Sequence, residues 1–364
     1  MRVLMITQVV DLDNPVLGFT HTWVNALARR VEQLHVVTLA AGKHNLADNV
    51  VLHTYGPPGM RHNRLNRWWF YNRCFASLIL GAQVDVVFVH MIPRWVIMVA
   101  PYARIRHVPI VLWYVHRQVT FQLKLAHWLA TRVVTASSES CRLKSEKVVV
   151  LGHGIDTELF RPVPDIQPTP RSVIAVGRLA PIKDYETLIH AAHILVHERE
   201  QQDWRFTIVG EADVATANYA AKLHALVADL GLQAHVTFVG SVPNYMMPAL
   251  YQSHFASVNL CPTGGMDKVV LESLACGTPA IVCNRTFTTL LGENAGRLLF
   301  REGDAEDLAT KLEVLATSPP TEHLALGQQL RAAVVREHSV ERLMDSIVNI
   351  LERENACYRH DRNG

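Results

Sequence analysis

Two segments in the second half of this chain concentrate residues suited to holding a phosphate. In VIAVGRLAPIKDYETLIHAA, from Val173, an apolar run ends at Gly177, and Arg178 and Lys183 then flank a turn at Pro181. Arginine offers a planar fork and lysine a point charge, and two cations on one strand-to-helix loop can converge on a pyrophosphate. In NLCPTGGMDKVVLESLACGTPAIVC, from Asn259, a Pro/Thr/Gly/Gly turn carries Gly264, Gly265, Met266, Asp267 and Lys268, and Glu272 follows. Taken singly, each segment has an ordinary reading: solvated loop cations in the first, a common glycine turn and a solvated helix glutamate in the second. Taken together, they describe a diphosphate site.

The elements that must position these groups are legible around the second segment. Ala256 to Leu260 is a short apolar run, and Val269, Val270, Leu271, Leu274 and Ala275 recur at helical spacing until Gly277 and Pro279. Ala280 to Cys283 reads as the next strand. This is one βαβ unit, with a helix N-terminus at the carboxyl edge of a parallel sheet. Bare backbone N–H groups and the positive end of the helix dipole favour an anion there, and glycine lets it approach closely.

At these segments the chain resembles the retaining glycosyltransferases of family 4, which have the GT-B fold. The family's Gly-Arg-Leu…Lys segment is matched by Gly177, Arg178, Leu179 and Lys183. Its second motif pairs two glutamates separated by seven residues ahead of a Met/Leu-Ala-Cys-Gly-x-Pro sequence. Here the second glutamate is Glu272, before Ser273-Leu274-Ala275-Cys276-Gly277-Thr278-Pro279. The first is replaced by Gly264, and the usual Glu-Gly-Phe-Gly reads Gly264-Gly265-Met266-Asp267. The resemblance implies that Glu272 takes the ribose hydroxyls and that Gly264 to Asp267 line the sugar pocket. The loop after Gly240, with Ser241, Val242 and Pro243, lies where the family holds the nucleobase. Asp267 is a candidate substitute for the missing sugar-side carboxylate.

The first half reads as a second α/β unit. Arg2 to Thr7 suits a central parallel strand, and no G-x-G-x-x-G follows it, which argues against a dehydrogenase. Gly18 and Phe19 stand where the family's first loop faces the donor. Further strands are expected over Leu34 to Leu39, Val50 to Tyr55, Val84 to His90, Ile110 to Val115, Arg132 to Ser137 and Lys147 to Leu151. His116 ends the Ile110 to Val115 strand, and the family places a histidine at that strand end near the donor sugar. Gly152-His153-Gly154-Ile155-Asp156 resembles another family turn. Between the third and fourth strands, RHNRLNRWWFYNRCFASLIL from Arg61 mixes arginines with Trp68, Trp69, Phe70, Tyr71 and Phe75. Residues 61–75 either dock an anionic membrane surface or acceptor, or pack their aromatics inward and solvate their arginines.

Composition is consistent with this organisation. The 364 residues suffice for two cores, and 49% hydrophobic with 19% charged content describes a globular enzyme. Net charge is only +2, but residues 1–165 carry 18 Lys/Arg against 10 Asp/Glu, a balance of +8, and the remainder −6. A basic first half suits an anionic partner on that side. The six cysteines lack metal-ligand spacing and read as buried thiols in a reducing cytoplasm, so no zinc site is expected. Neither a signal peptide nor a spanning helix is evident. Four prolines from Pro162 to Pro170 mark an interdomain linker.

The expectation is an α/β chain of GT-B type, with two Rossmann-like doubly wound parallel-sheet domains facing a central cleft. Residues 1–163 form the acceptor-side domain, 164–171 the linker and 172–339 the donor domain; 340–364 form a helix crossing back to the first domain. The implied activity moves a sugar from a nucleoside diphosphate sugar to a hydroxyl of a glycan or lipid-linked acceptor with retention, without cofactor or metal. The protein is placed in the cytoplasm or at the inner face of the membrane. A catalytically idle donor-binding subunit and a nucleotide-sugar epimerase are the alternatives. Dispersed basic residues argue against nucleic acid.

Overall fold

The computed structural model describes residues 1–14, 16–57, 63–163, 165–262 and 264–363, with side chains through 358. Arg61, Thr263 and Pro164, named above, lie outside them. The chain divides into two compact units, Met1–Asp156 with Val340–Gly364, and Thr157–Ser339.

The first unit is built on seven parallel strands: β1 (Arg2–Val10), β2 (Gln33–Ala41), β3 (Val50–Gly56), β4 (Val86–His90), β5 (Ile110–Trp113), β6 (Arg132–Thr135) and β7 (Val148–Val150), in the order β3-β2-β1-β4-β5-β6-β7. Alternation along β1 feeds two cores. Leu4 and Ile6 face the helices Arg64–Phe75, Pro93–Arg106 and Phe121–Leu129. Val3 and Met5 face Phe19–Ala28 and the long last helix, Val340–Asn363. With both sheet faces covered, its strands must be apolar throughout, as RVLMIT is.

The last helix is part of this unit. Leu343, Met344, Ile347, Val348 and Leu351 recur at helical spacing and are buried in the β1 core. Arg29 and Arg30 reach Glu341 and Asp345 at 2.6 and 2.7 Å, and Arg132 Nε donates to the buried Glu354 at 2.7 Å. The Gly152–Asp156 turn is closed by the same packing: a Cβ on Gly154 would lie 2.7 Å from Leu343 and 3.3 Å from Trp23.

The second unit carries β8 (Thr169–Val176), β9 (Arg205–Val209), β10 (Val236–Gly240), β11 (His254–Asn259) and β12 (Ala280–Val282), all parallel, ordered β10-β9-β8-β11-β12. In both sheets the chain winds outward from one strand, then returns to that strand's other side. The reversal falls between β1 and β4 in the first and between β8 and β11 in the second.

Several boundaries depart from the sequence reading. The strand starting at Ile110 ends at Trp113, not Val115, so His116 lies in the following loop. β8 begins at Thr169, inside the proline-rich run, because Thr169 pairs with His254 of β11 before Ser172 and its neighbours pair with β9. Gly296 to Phe300, an apolar-ended stretch late in the unit, overlaps a helical turn (Ala295–Leu298), with a single bridge from Leu299 to Val282. The sequence reading passed over the helix Pro320–His338, whose small buried side offers little contrast. No disulfide joins the described cysteines; Cys141, Cys261, Cys276 and Cys283 are buried, Cys74 is half-buried and Cys357 exposed.

Candidate functional site

In a doubly wound sheet, the loops leaving the two strands at the reversal diverge and leave a crevice at their carboxyl ends. In the second unit those loops are the two phosphate-suited segments, after β8 and β11. Gly177, at φ +154°, turns the chain out of β8, and its carbonyl accepts the Tyr185 hydroxyl at 2.8 Å. The neighbouring strand end is packed directly behind: Gly210, at φ +138°, has no room for a Cβ, which would sit 1.9 Å from the Gly177 carbonyl oxygen. Gly210 N donates to Gly240 O at 2.8 Å, carrying the close stacking to β10.

Lys183 sits on a short 3₁₀ turn, Pro181–Lys183, and points at the second segment. Its Nζ lies 2.6 Å from Asp267 Oδ2, and Asn259 Nδ2, at the end of β11, donates to the same oxygen at 3.0 Å. Asn259 is buried, and its Oδ1 has no hydrogen-bond partner among the described residues. Asp267 is the N-cap residue of the Lys268–Ala275 helix, yet its side chain makes no cap bond. A residue type that ordinarily satisfies the first-turn N–H groups is drawn off by Lys183 and Asn259. The preceding turn holds Gly264 at φ +115°, and Asn284 Nδ2 donates to Gly265 O at 3.5 Å.

Glu272 lies one helical turn beyond Lys268, on the same side of the helix, and both are half-buried. Desolvation pushes the Glu272 carboxyl up and the Lys268 ammonium down, each partly offset by the other's charge. Tyr251, fully buried, directs its hydroxyl to Glu272 Oε2 at 3.5 Å, and the Asn244 side chain also acts to lower the pKa of this carboxyl. Asn244 follows Val242 and Pro243, so the loop after Gly240 ends close to Glu272. The sequence reading missed Tyr251, Asn244 and Asn259. Only Asn259, a polar residue ending an apolar strand, had a visible signal.

Arg178 does not join this cluster. Its side chain is 73% exposed and lies 3.6 Å from Asp213, in the loop after β9. The two cations of the first segment therefore answer two different carboxylates.

In the first unit, Gly18 and Phe19 begin the Phe19–Ala28 helix, after the loop leaving β1, at that sheet's own reversal. The residue facing them is His90, at the end of β4. It is buried, its Nδ1 is 3.1 Å from Thr7 Oγ1, and its ring packs 5.1 Å from Trp23 and 6.0 Å from Phe19. His116 follows β5, one strand further out; it is exposed, and its Nδ1 accepts from Gln118 N at 3.3 Å. Among the described residues, no group of three His, Cys, Asp or Glu side chains could hold a metal ion.

The described part of the basic aromatic segment is the helix Arg64–Phe75, which divides its aromatics between two sides. Tyr71 and Phe75 enter the core, while Leu65, Trp68 and Trp69 are 68%, 49% and 66% exposed beside the exposed Arg64 and Arg73.

Comparison with known proteins gives the geometry a context. Residues 170–318 match the family model described as glycosyl transferases group 1. The D-inositol 3-phosphate glycosyltransferase of Frankia alni is 29% identical over 52% of this chain and 49% of its own length. The GDP-mannose-dependent alpha-(1-6)-phosphatidylinositol monomannoside mannosyltransferase of Mycolicibacterium smegmatis is 28% identical over 45% of this chain and 43% of its own. The chain thus spans about half the length of the curated relatives it matches. Among solved structures, Anabaena Alr3699/HepE in complex with UDP and glucose superposes with a TM-score of 0.73 at 17% identity, covering 96% of this chain and 99% of that one. Sucrose-phosphate synthase from Thermosynechococcus elongatus gives 0.73 at 16%, covering 98% and 99%. The two parallel-sheet units are those of the GT-B fold, and the second is the part that resembles the group 1 glycosyltransferases in sequence.

Proposed function

We propose that this protein is a glycosyltransferase that moves a hexose from a nucleoside diphosphate sugar to a hydroxyl acceptor. One observation carries the reading: Lys183, the uncapped start of the Lys268–Ala275 helix and Glu272 are gathered at the reversal point of one sheet. When the glycosidic bond to the donor breaks, negative charge grows on the leaving diphosphate. A fixed ammonium and a row of backbone N–H groups stabilise that charge, and the loss of one such donor commonly costs ~10²–10³ in rate. Arg178, mobile enough at its exposure to leave Asp213, adds a second cation to the same diphosphate. Glu272 takes the ribose hydroxyls, and Gly264, Gly265 and Met266 leave room for the sugar. The loop at Gly240 and Val242 meets the base through its backbone.

Gly18, Phe19 and His116 act on the sugar side of the donor, and the transfer proceeds with retention and without a metal, as in family 4. The acceptor is a glycan or a lipid-linked glycan, in keeping with relatives named for inositol and phosphatidylinositol substrates. The enzyme works in the cytoplasm at the inner face of a membrane. Arg64, Arg73, Leu65, Trp68 and Trp69 form the contact, the aromatics at the headgroup boundary and the arginines on lipid phosphates. Among the described residues no helix is long and apolar enough to cross a membrane.

The test is thermal stability against UDP, GDP, ADP and their sugar conjugates, with Lys183→Ala alongside. Ligand at a hundred times its dissociation constant adds ~2.7 kcal/mol, a shift of several degrees. The expected result is a shift with one base that the substitution removes. A chain that responds to none of them is not a donor-dependent transferase.

A further inference from the structure

We propose that Asp267 is a built-in competitor of the donor diphosphate, holding Lys183 until the nucleotide displaces it; this rests on the donor-site reading above. A diphosphate needs a cation and bare N–H groups, and here a carboxylate from the site's own backbone already holds the cation. Its Oδ2 is 2.6 Å from Lys183 Nζ and 3.0 Å from the buried Asn259 amide. Both partners of the pair are shielded, with side-chain exposures of 19% and 31%, so solvent screens the contact less than it would a surface ion pair.

The carboxylate has two positions open to it, and both obstruct an anion. Bonded to Lys183, as here, it neutralises the ammonium. Swung back over the Lys268–Ala275 helix, whose N-cap it is, it would accept from the first-turn N–H groups that a phosphate would otherwise use. In the second position Lys183 is released, so the cap bond offsets part of the loss of the ion pair. An incoming diphosphate must therefore carry enough charge to take Lys183 from Asp267. A neutral or singly charged ligand of similar shape has less with which to do so. Asp267 thus sets both the affinity of the site and its preference for the full diphosphate.

The experiment compares UDP and GDP binding to the full-length protein, Asp267→Asn and Asp267→Gly by calorimetry, with uridine and guanosine as controls. Asn keeps the size and removes the charge; Gly removes both. If Asp267 competes, each substitution tightens the diphosphate that binds by tenfold or more, about 1.4 kcal/mol, and leaves its nucleoside unchanged. Unchanged diphosphate affinity in both variants overturns the inference while leaving the donor reading intact. Weaker binding in both also overturns it and makes Asp267 a positioning group for Lys183, or for a cation where magnesium tightens binding to the wild type alone. Absence of binding to all three proteins refutes the donor reading and the competitor with it.

Discussion

Gly210→Ala tests whether the carboxyl ends of β8 and β9 are as tightly joined as the structure requires. The new Cβ would lie 1.9 Å from the Gly177 carbonyl oxygen and 2.8 Å from its carbon. Both are backbone atoms, so no side chain can rotate to relieve the contact, and the strand ends must separate by more than an ångström. Holding alanine at φ +138° costs ~1–3 kcal/mol. Forcing the packed backbone apart adds ~1–3 kcal/mol. The expected loss is about 2–6 kcal/mol. Gly292→Ala is the matched control: its φ is +56° with ψ −129°, and its Cβ would meet nothing within 4 Å, leaving only a backbone cost of ~1–3 kcal/mol. Two units in one chain need not unfold together, so the readout is hydrogen exchange of the β8 and β9 peptides, which reports local opening. Because the Gly177 carbonyl also receives the Tyr185 hydroxyl, the variant should lose its nucleotide-induced thermal shift as well. Equal losses in the two alanine variants would refute the reasoning, since only one of them has a backbone clash.

Arg331 donates to Thr157 O at 3.2 Å, Phe160 O at 2.7 Å and Ala275 O, joining the start of the second unit to the end of the site helix. Charge-assisted bonds contribute ~1.5–3 kcal/mol each, and water can replace part of them at this half-buried position, so Arg331→Met should cost about 2–4 kcal/mol in urea unfolding. A loss below half a kilocalorie would remove this role. Arg132→Met leaves the Glu354 carboxylate, with 6% side-chain exposure, facing only Arg353 at 3.7 Å among the described residues. The first unit should lose about 3 kcal/mol, and Glu354→Gln clearly less; the reverse order would show that the buried charge is not the cost. For pH, desolvation raises the folded-state Glu272 carboxyl above its unfolded value. Its contribution to stability is complete below the ordinary carboxylate range and is lost as pH climbs toward neutrality. Glu272→Gln should flatten that decline in melting temperature between about pH 5 and 7, and identical slopes would sink the assignment.

Much of the fold follows from local pattern. RVLMIT cannot satisfy an amphipathic helix or a half-solvated sheet, so it reads as a strand buried on both faces, and Val3/Met5 against Leu4/Ile6 confirm two cores. The βαβ unit from Asn259 is visible because helical spacing, Gly277 and Pro279 fall within one short window. The last helix shows itself through the recurrence of Leu343, Ile347 and Leu351, whereas Pro320–His338 buries only a few small or scattered residues and gives no comparable stripe.

What the sequence by itself determined were two α/β units, a glycine-cornered turn before Glu272, and the residue types able to hold a diphosphate. Only the tertiary structure decided which of those residues meet. Strand order is a long-range property, so no local window could place β8 beside β11 or β1 beside β4, and hence none could pick His90 or show which groups Asn259 meets. Nor could spacing along the chain separate Arg178 from Lys183, because each loop cation is captured by a carboxylate from a different strand, Asp213 after β9 and Asp267 after β11. A side chain's partner is set by charges brought within a few ångströms by the sheet, and those charges are 84 residues distant in sequence for Lys183.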